Sequence, residues 1–259
     1  MEINKKKSIL AGLSVLMIVF SFAFAEQAFS STSKQIFQGF PKFEKPERTI
    51  NFSGYEWNVK RGVFAPGPNY WNDSEDAVFV DKKGHLHIKI TKVGDTFYSS
   101  EIYLEKSMGY GTYKFVIDGK SEVDKLDEHL ILGLFLYQDD EHELDIELAN
   151  WQNPGGDNIY YSVQPYWENK KLNNKGAKIT LDNSLTSTYT IKWLPSRIRM
   201  TAKQKGEMLF DWRYRGDRNF EPGGEKVHIN LWMQDGLQPK NGEEKEIIIR
   251  KFTFTPFPY

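Results

Sequence analysis

Period-two alternation, closely spaced turns and the lack of any helical apolar stripe predict an all-β chain. The expected architecture is a two-sheet antiparallel β-sandwich of the jelly-roll kind. His85–Ile90 alternates polar and apolar residues, the pattern of a half-buried strand. Tyr113–Ile117 follows the Gly109-Tyr110-Gly111 break. Ile131–Tyr137 is mostly apolar, as a strand buried on both faces would be. Tyr189–Trp193, Arg197–Met200 and Met208–Trp212 read as a meander turning at Pro195-Ser196 and Lys205-Gly206. A run from Ile247 through Phe254 supplies the last strand. No internal repeat or linker divides residues 46–259, so one domain is expected there.

At 259 residues the chain is long enough for one large β domain. Hydrophobic residues make up 39% and charged residues 27%, which excludes a disordered chain and a polytopic membrane protein. Lys+Arg 34 against Asp+Glu 35 gives a net charge of -1, so no bulk positive charge is available to hold nucleic acid. With no cysteine there is no disulfide framework, thiol nucleophile or Cys-ligated zinc. Aromatic residues reach 15%, more than one core needs, so some are expected at a working surface.

Lys5, Lys6 and Lys7 precede an apolar run from Ile9 to Phe24, and Ala23-Phe24-Ala25 has the small-x-small form cut by signal peptidase. Residues 1–25 are therefore expected to be a signal peptide, with residues 26–45 as an N-terminal extension. The run is long for a signal, which makes an uncleaved anchor the alternative. Removing residues 1–25 takes away three Lys and one Glu and leaves a net charge of -3. A secreted, extracellular protein is expected, without stable membrane association after the signal is removed.

The chemistry is concentrated in Glu143-Leu144-Asp145-Ile146-Glu147-Leu148. On a strand, Glu143, Asp145 and Glu147 share one face, and Leu144, Ile146 and Leu148 share the other. The apolar side implies a core beneath. Neighbouring like charges on the acidic side repel, so folding alone does not favour them. Sugar hydrolysis does, because a retaining glycosidase needs two carboxyl groups ~5–5.5 Å apart. Residues i and i+4 of a strand have Cα atoms ~13 Å apart, and two long side chains leaning together can close that gap. The competing reading is a solvated acidic edge that blocks aggregation, and Asp139, Asp140 and Glu141 fit it.

Glu143–Glu147 resembles the Glu-x-Asp-x-Glu signature of glycoside hydrolase family 16. Ser100-Glu101 before Gly109-Tyr110-Gly111-Thr112-Tyr113, Phe135-Leu136-Tyr137 and Asn230-Leu231-Trp232 are also similar to elements of that family, in the same order. The resemblance implies a concanavalin-like β-jelly roll that cuts or rearranges β-linked polysaccharides with retention. It also implies Glu143 as nucleophile, Glu147 as acid/base and Asp145 as the assisting carboxylate. The motif lacks the extra residue of the β-1,3-glucanase type and is more like lichenases and xyloglucan transglycosylases, which leans toward a mixed-linkage or β-1,4-type glucan. His142, Asn150-Trp151 and Tyr103 depart from the pattern, where Asp, a Gly-containing turn and Arg are usual.

A concave substrate cleft would need a polar, aromatic wall. His228, Asn230, Trp232 and Gln234 alternate with Ile229, Leu231 and Met233, and Tyr160, Ser162, Gln164 and Tyr166 form a similar row. Sugar rings stack on indole while amides and carboxylates bond their hydroxyls. Tyr160, Gln164, Asn230 and Trp232 are the expected substrate contacts, and the resemblance adds Glu101 and Tyr137. Trp71 is either a platform at one end of the cleft or a packing residue. His85-x-His87 has metal-ligand spacing without an evident third ligand, so no metal site is expected. The expected protein is a monomeric, cofactor-free, endo-acting β-glucan hydrolase with a polysaccharide partner and no nucleic acid; a structural calcium is not legible in the chain. A non-catalytic carbohydrate-binding module and a transglycosylase using the same residues are the alternatives.

Overall fold

A computed structural model of the chain describes residues 48–165, 168, 170–216 and 221–258. The expected signal peptide, the extension and Tyr166 lie outside the described residues. The alternating segments become strands of two large antiparallel sheets, the arrangement of a β-sandwich jelly roll. The first sheet runs in the order β1 (Arg48–Phe52), β2 (Tyr55–Val59), β8 (Ser100–Tyr103), β17 (Lys226–Met233), β10 (Leu130–Asp139), β11 (His142–Leu148), β12 (Ile159–Val163) and β13 (Asn174–Ala177). The second has the order β16 (Glu207–Arg213), β15 (Arg197–Gln204), β14 (Ser187–Leu194), β9 (Gly111–Ile117), β18 (Lys245–Pro256), β6 (Leu86–Val93) and β5 (Val78–Val80). β7 (Thr96–Tyr98) pairs with β6, and β3 (Gly62–Phe64) with β4 (Asn69–Trp71) makes a separate hairpin.

The apolar half of each alternation meets between the sheets. Leu144, Ile146 and Leu148 of β11 are fully buried in one cluster with Tyr189, Ile191 and Trp193 of β14 and Ile247 and Ile249 of β18. Each such side chain contributes about 1.5–3 kcal/mol relative to exposure. Aromatic contacts join the layers. Tyr161 of β12 stacks on Phe210 of β16 with ring centroids 4.4 Å apart, and Trp57 meets Phe252 edge-on at 5.2 Å. Trp57 Nε1 donates to the Phe52 carbonyl at 3.0 Å, so its polar tip is satisfied in the core.

Ile131–Tyr137 departs from expectation. Leu132, Leu134 and Leu136 are fully buried in the core, but Phe135 and Tyr137 on the opposite face are only half-buried. The second face is covered at Ile131 and Gly133 and opens only at the aromatic rings of Phe135 and Tyr137.

Strand register orders the outward face of the first sheet into rows. Glu101, Asn230, Gly133, Glu147 and Tyr160 are successive cross-strand partners from β8 to β12. Tyr103, His228, Phe135, Asp145 and Ser162 make the next row, and Tyr137 is opposite Glu143 in the third.

Candidate active site

These rows form a cleft of about 640 Å³. Glu101, Tyr137, Glu143, Asp145, Glu147, Tyr160, Gln164, Asn230 and Trp232, all expected at the site, line this one space. β11 is an interior strand between β10 and β12, so its acidic face is not the solvated edge of the competing reading.

The three carboxylates sit in different surroundings. Asp145 is only 4% exposed, and Gln164 Nε2 donates to its Oδ2 at 3.1 Å. Burial pushes its carboxyl up to about 7, with the Gln164 bond opposing. Glu143 and Glu147 are half-buried and reach the cleft. Burial drives Glu143 well above the usual carboxylate range, and the charges of Asp145 and Glu147 add to the effect. Glu147 moves the same way, through burial and then Asp145. A cluster of this kind holds protons at a pH where isolated carboxyls have lost them, which suits general acid work.

Glu101 is the opposite case. It is 1% exposed, and both carboxylate oxygens are engaged. Oε2 lies 2.9 Å from Lys60 Nζ and accepts from Asn230 Nδ2 at 3.3 Å, while Oε1 is 2.8 Å from His228 Nδ1. Burial alone would raise its pKa, but Lys60 and His228 outweigh burial and hold it at about 2. Its carboxylate therefore anchors the cleft floor more than it reaches outward. Asn230 continues the network, since Gly133 N–H donates to its Oδ1 at 3.1 Å. A Cβ at Gly133 would overlap that oxygen, so glycine is required where the two strands' side chains meet.

Aromatic and polar groups wall the cleft. Burial is the first cause raising Tyr137 to about 12, followed by Asp140, whose Oδ1 accepts from the Tyr137 hydroxyl at 3.1 Å. The Tyr160 hydroxyl is raised by burial, Asp157 and Glu147. Trp232 is half-buried and meets Trp151 edge-on, with centroids 6.0 Å apart. Trp151 and Gln152 both adopt left-handed backbone, φ 51° and 57°, which non-glycine residues seldom do. The sequence marks Trp151 only as a departure in a turn; the structure makes it part of the cleft wall. Lys60, His228 and Phe135 also line the cleft and were not among the expected contacts.

Trp71 is a packing residue. It is 3% exposed and its Nε1 donates to the Phe64 carbonyl at 3.0 Å. His87 stacks on Phe79 at 4.4 Å and pairs with Glu246 at 3.0 Å, and His85 lies 3.8 Å from Asp81. Among the described residues no group of three or more His, Asp or Glu side chains is placed to hold a metal ion.

No family model and no curated protein matches the chain in sequence. Solved structures do share its fold. A Bacillus licheniformis β-glucanase is 15% identical with TM-score 0.57, the match covering 83% of this chain and 100% of that one. A mixed-linkage glucan family 16 glycoside hydrolase of Bacteroides ovatus, solved with a G4G4G3G product, is 12% identical with TM-score 0.55, covering 77% and 94%. A pseudo β-1,3-glucanase of Mycobacterium tuberculosis is 18% identical with TM-score 0.52, covering 75% and 88%. The chain thus has the jelly-roll fold of family 16 glucanases.

Proposed function

We propose that the chain is a secreted, retaining, endo-acting β-glycoside hydrolase of the family 16 type, with a β-glucan as substrate. The observation that carries this reading is the acidic face of β11, three carboxylates at consecutive outward positions opening into one aromatic-walled cleft. Glu147, which burial and Asp145 keep protonated, gives its proton to the leaving glycosidic oxygen. Glu143 attacks the anomeric carbon from the other face of the ring. Glu143 is also raised by burial and by Asp145, and the positive charge developing on the sugar favours its ionised form. Water deprotonated by Glu147 then releases the glycosyl group. Asp145, held by Gln164, takes up part of the charge that moves between them. Every step uses side chains of this chain, so the reading involves no cofactor and a monomer suffices.

Binding without turnover is the second reading, supported by the same fold in a pseudo β-1,3-glucanase. A reducing-sugar screen over barley glucan, laminarin, xyloglucan, agarose and carrageenan, with Glu143→Gln in parallel, decides between them. Release on one polymer, lost in Glu143→Gln, is expected. Retardation in glucan gels without release on any polymer would favour the binding module, and substantial activity in Glu143→Gln would remove the assigned nucleophile. Product sizing with added oligosaccharide acceptors separates hydrolysis from transglycosylation.

A further inference from the structure

The outward face of the second sheet carries a charge pattern that folding disfavours. Lys192 of β14 is the direct cross-strand partner of Arg199 on β15, which is in turn the partner of Arg213 on β16. The side chains of these strands that alternate with them, Ile191, Trp193, Ile198 and Met200, are buried, so the three cations share the outer face. Like charges directly opposite one another destabilise a sheet. Asp211, partner of Thr201 in the adjacent row, meets Arg199 through two contacts of 2.7 Å and offsets one of the three charges. Lys192 and Lys114 have no carboxylate within ion-pair distance among the described residues.

Lys114, Lys192, Arg199, Lys203 and Lys205 line a groove of about 460 Å³, with threonine side chains between them. Lys114, Thr190, Thr201 and Asp211 form one cross-strand row, so hydroxyls are interspersed with the charged groups over the surface. Adjacent strands are ~4.8 Å apart, close to the length of one sugar unit. The groove lies on a different sheet from the acidic cleft.

We propose that this outer groove binds a linear acidic polysaccharide. Its carboxylate or sulfate groups sit on the lysine and arginine row, and its hydroxyls meet the threonines. The hydroxyl-lined groove, matched to the many hydroxyls of a sugar chain, favours a glycan over duplex nucleic acid. Threonines outnumber Met208, the large apolar side chain in the lining, which disfavours a lipid surface. The inference does not rest on turnover in the cleft.

Native gels containing polygalacturonate or dextran sulfate test it, the two arms separating carboxylate from sulfate. Retardation in at least one acidic gel is expected, weakened by salt, with about a tenfold loss of affinity in Lys114→Gln/Lys192→Gln/Lys203→Gln. The triple variant should behave like the parent toward barley glucan and melt at the same or a higher temperature, since repulsion has been removed. No retardation in either acidic gel overturns the proposal. So does retardation that survives the triple substitution, or equal affinity for a short DNA duplex.

Discussion

His228 holds Nδ1 2.8 Å from Oε1 of Glu101, with its ring between Phe135 and Tyr103 at centroid distances of 4.8 and 5.4 Å. The aromatic sandwich fixes the imidazole, and the imidazole with Lys60 fixes the carboxylate. Glu101→Gln leaves Lys60 without its buried counter-charge and His228 Nδ1 without its carboxylate partner, and should cost about 3–5 kcal/mol at neutral pH. The folded pKa of Glu101 is depressed, so its contribution is present above the unfolded value of about 4.3 and is lost as pH falls toward about 2. Urea titrations at about pH 7 and pH 3 should therefore show the difference between variant and parent shrinking in acid.

Asp145 has the reverse sign. Its folded pKa of about 7 lies above the ~3.9 of an unfolded aspartate, so the folded chain holds the proton more tightly. The group costs no stability below about pH 4 and an increasing amount as pH rises through about 7. Asp145→Asn keeps an acceptor for Gln164 and should raise unfolding free energy by about 1–3 kcal/mol near pH 8, with the gain fading by pH 4. Melting curves across that range measure it, and the same variant should lose activity.

Glu147→Gln removes the proposed proton donor. Hydrolysis of the accepted polymer should fall by about 10²–10⁴. An aryl glycoside whose leaving group needs no protonation should lose much less in its first step. Equal losses on both substrates would move the acid role to another group.

Gly133→Ala brings a Cβ against Asn230 Oδ1 and should cost about 1–3 kcal/mol. Because the clash is with one side chain, Gly133→Ala/Asn230→Ala should be less destabilised than the sum of the two single variants. Chemical denaturation of all four proteins measures that coupling.

Trp151→Ala removes an aromatic wall of the cleft beside Trp232. Loss of ring stacking worth about 0.5–1.5 kcal/mol should raise KM several-fold with a smaller change in kcat. Steady-state kinetics on the accepted glucan separate the two.

Much of the fold was legible because period two carries both its signals. Leu144, Ile146 and Leu148 mark the core face while Glu143, Asp145 and Glu147 mark the cleft, and one alternation gives both. What was not legible depends on pairings distant in sequence. Lys60 and Glu101 are 41 residues apart and His228 lies 127 beyond Glu101, so no local pattern announces their network. Trp151 was hidden for another reason: its placement uses a left-handed backbone at two non-glycine residues, which tertiary contacts impose against local preference. Phe135 was hydrophobic enough to pass for core, since composition alone does not distinguish a sugar-facing ring from a buried one.

The interior position of β11 ties correct folding to chemistry. A slip of one residue against β10 or β12 would turn the carboxylates into the oily interior and put leucines in the trough. A polypeptide assembled out of frame would thus be unable to stay folded for the same reason that it could not act. No long-lived impostor, well packed yet blank at its reactive surface, can arise from that error.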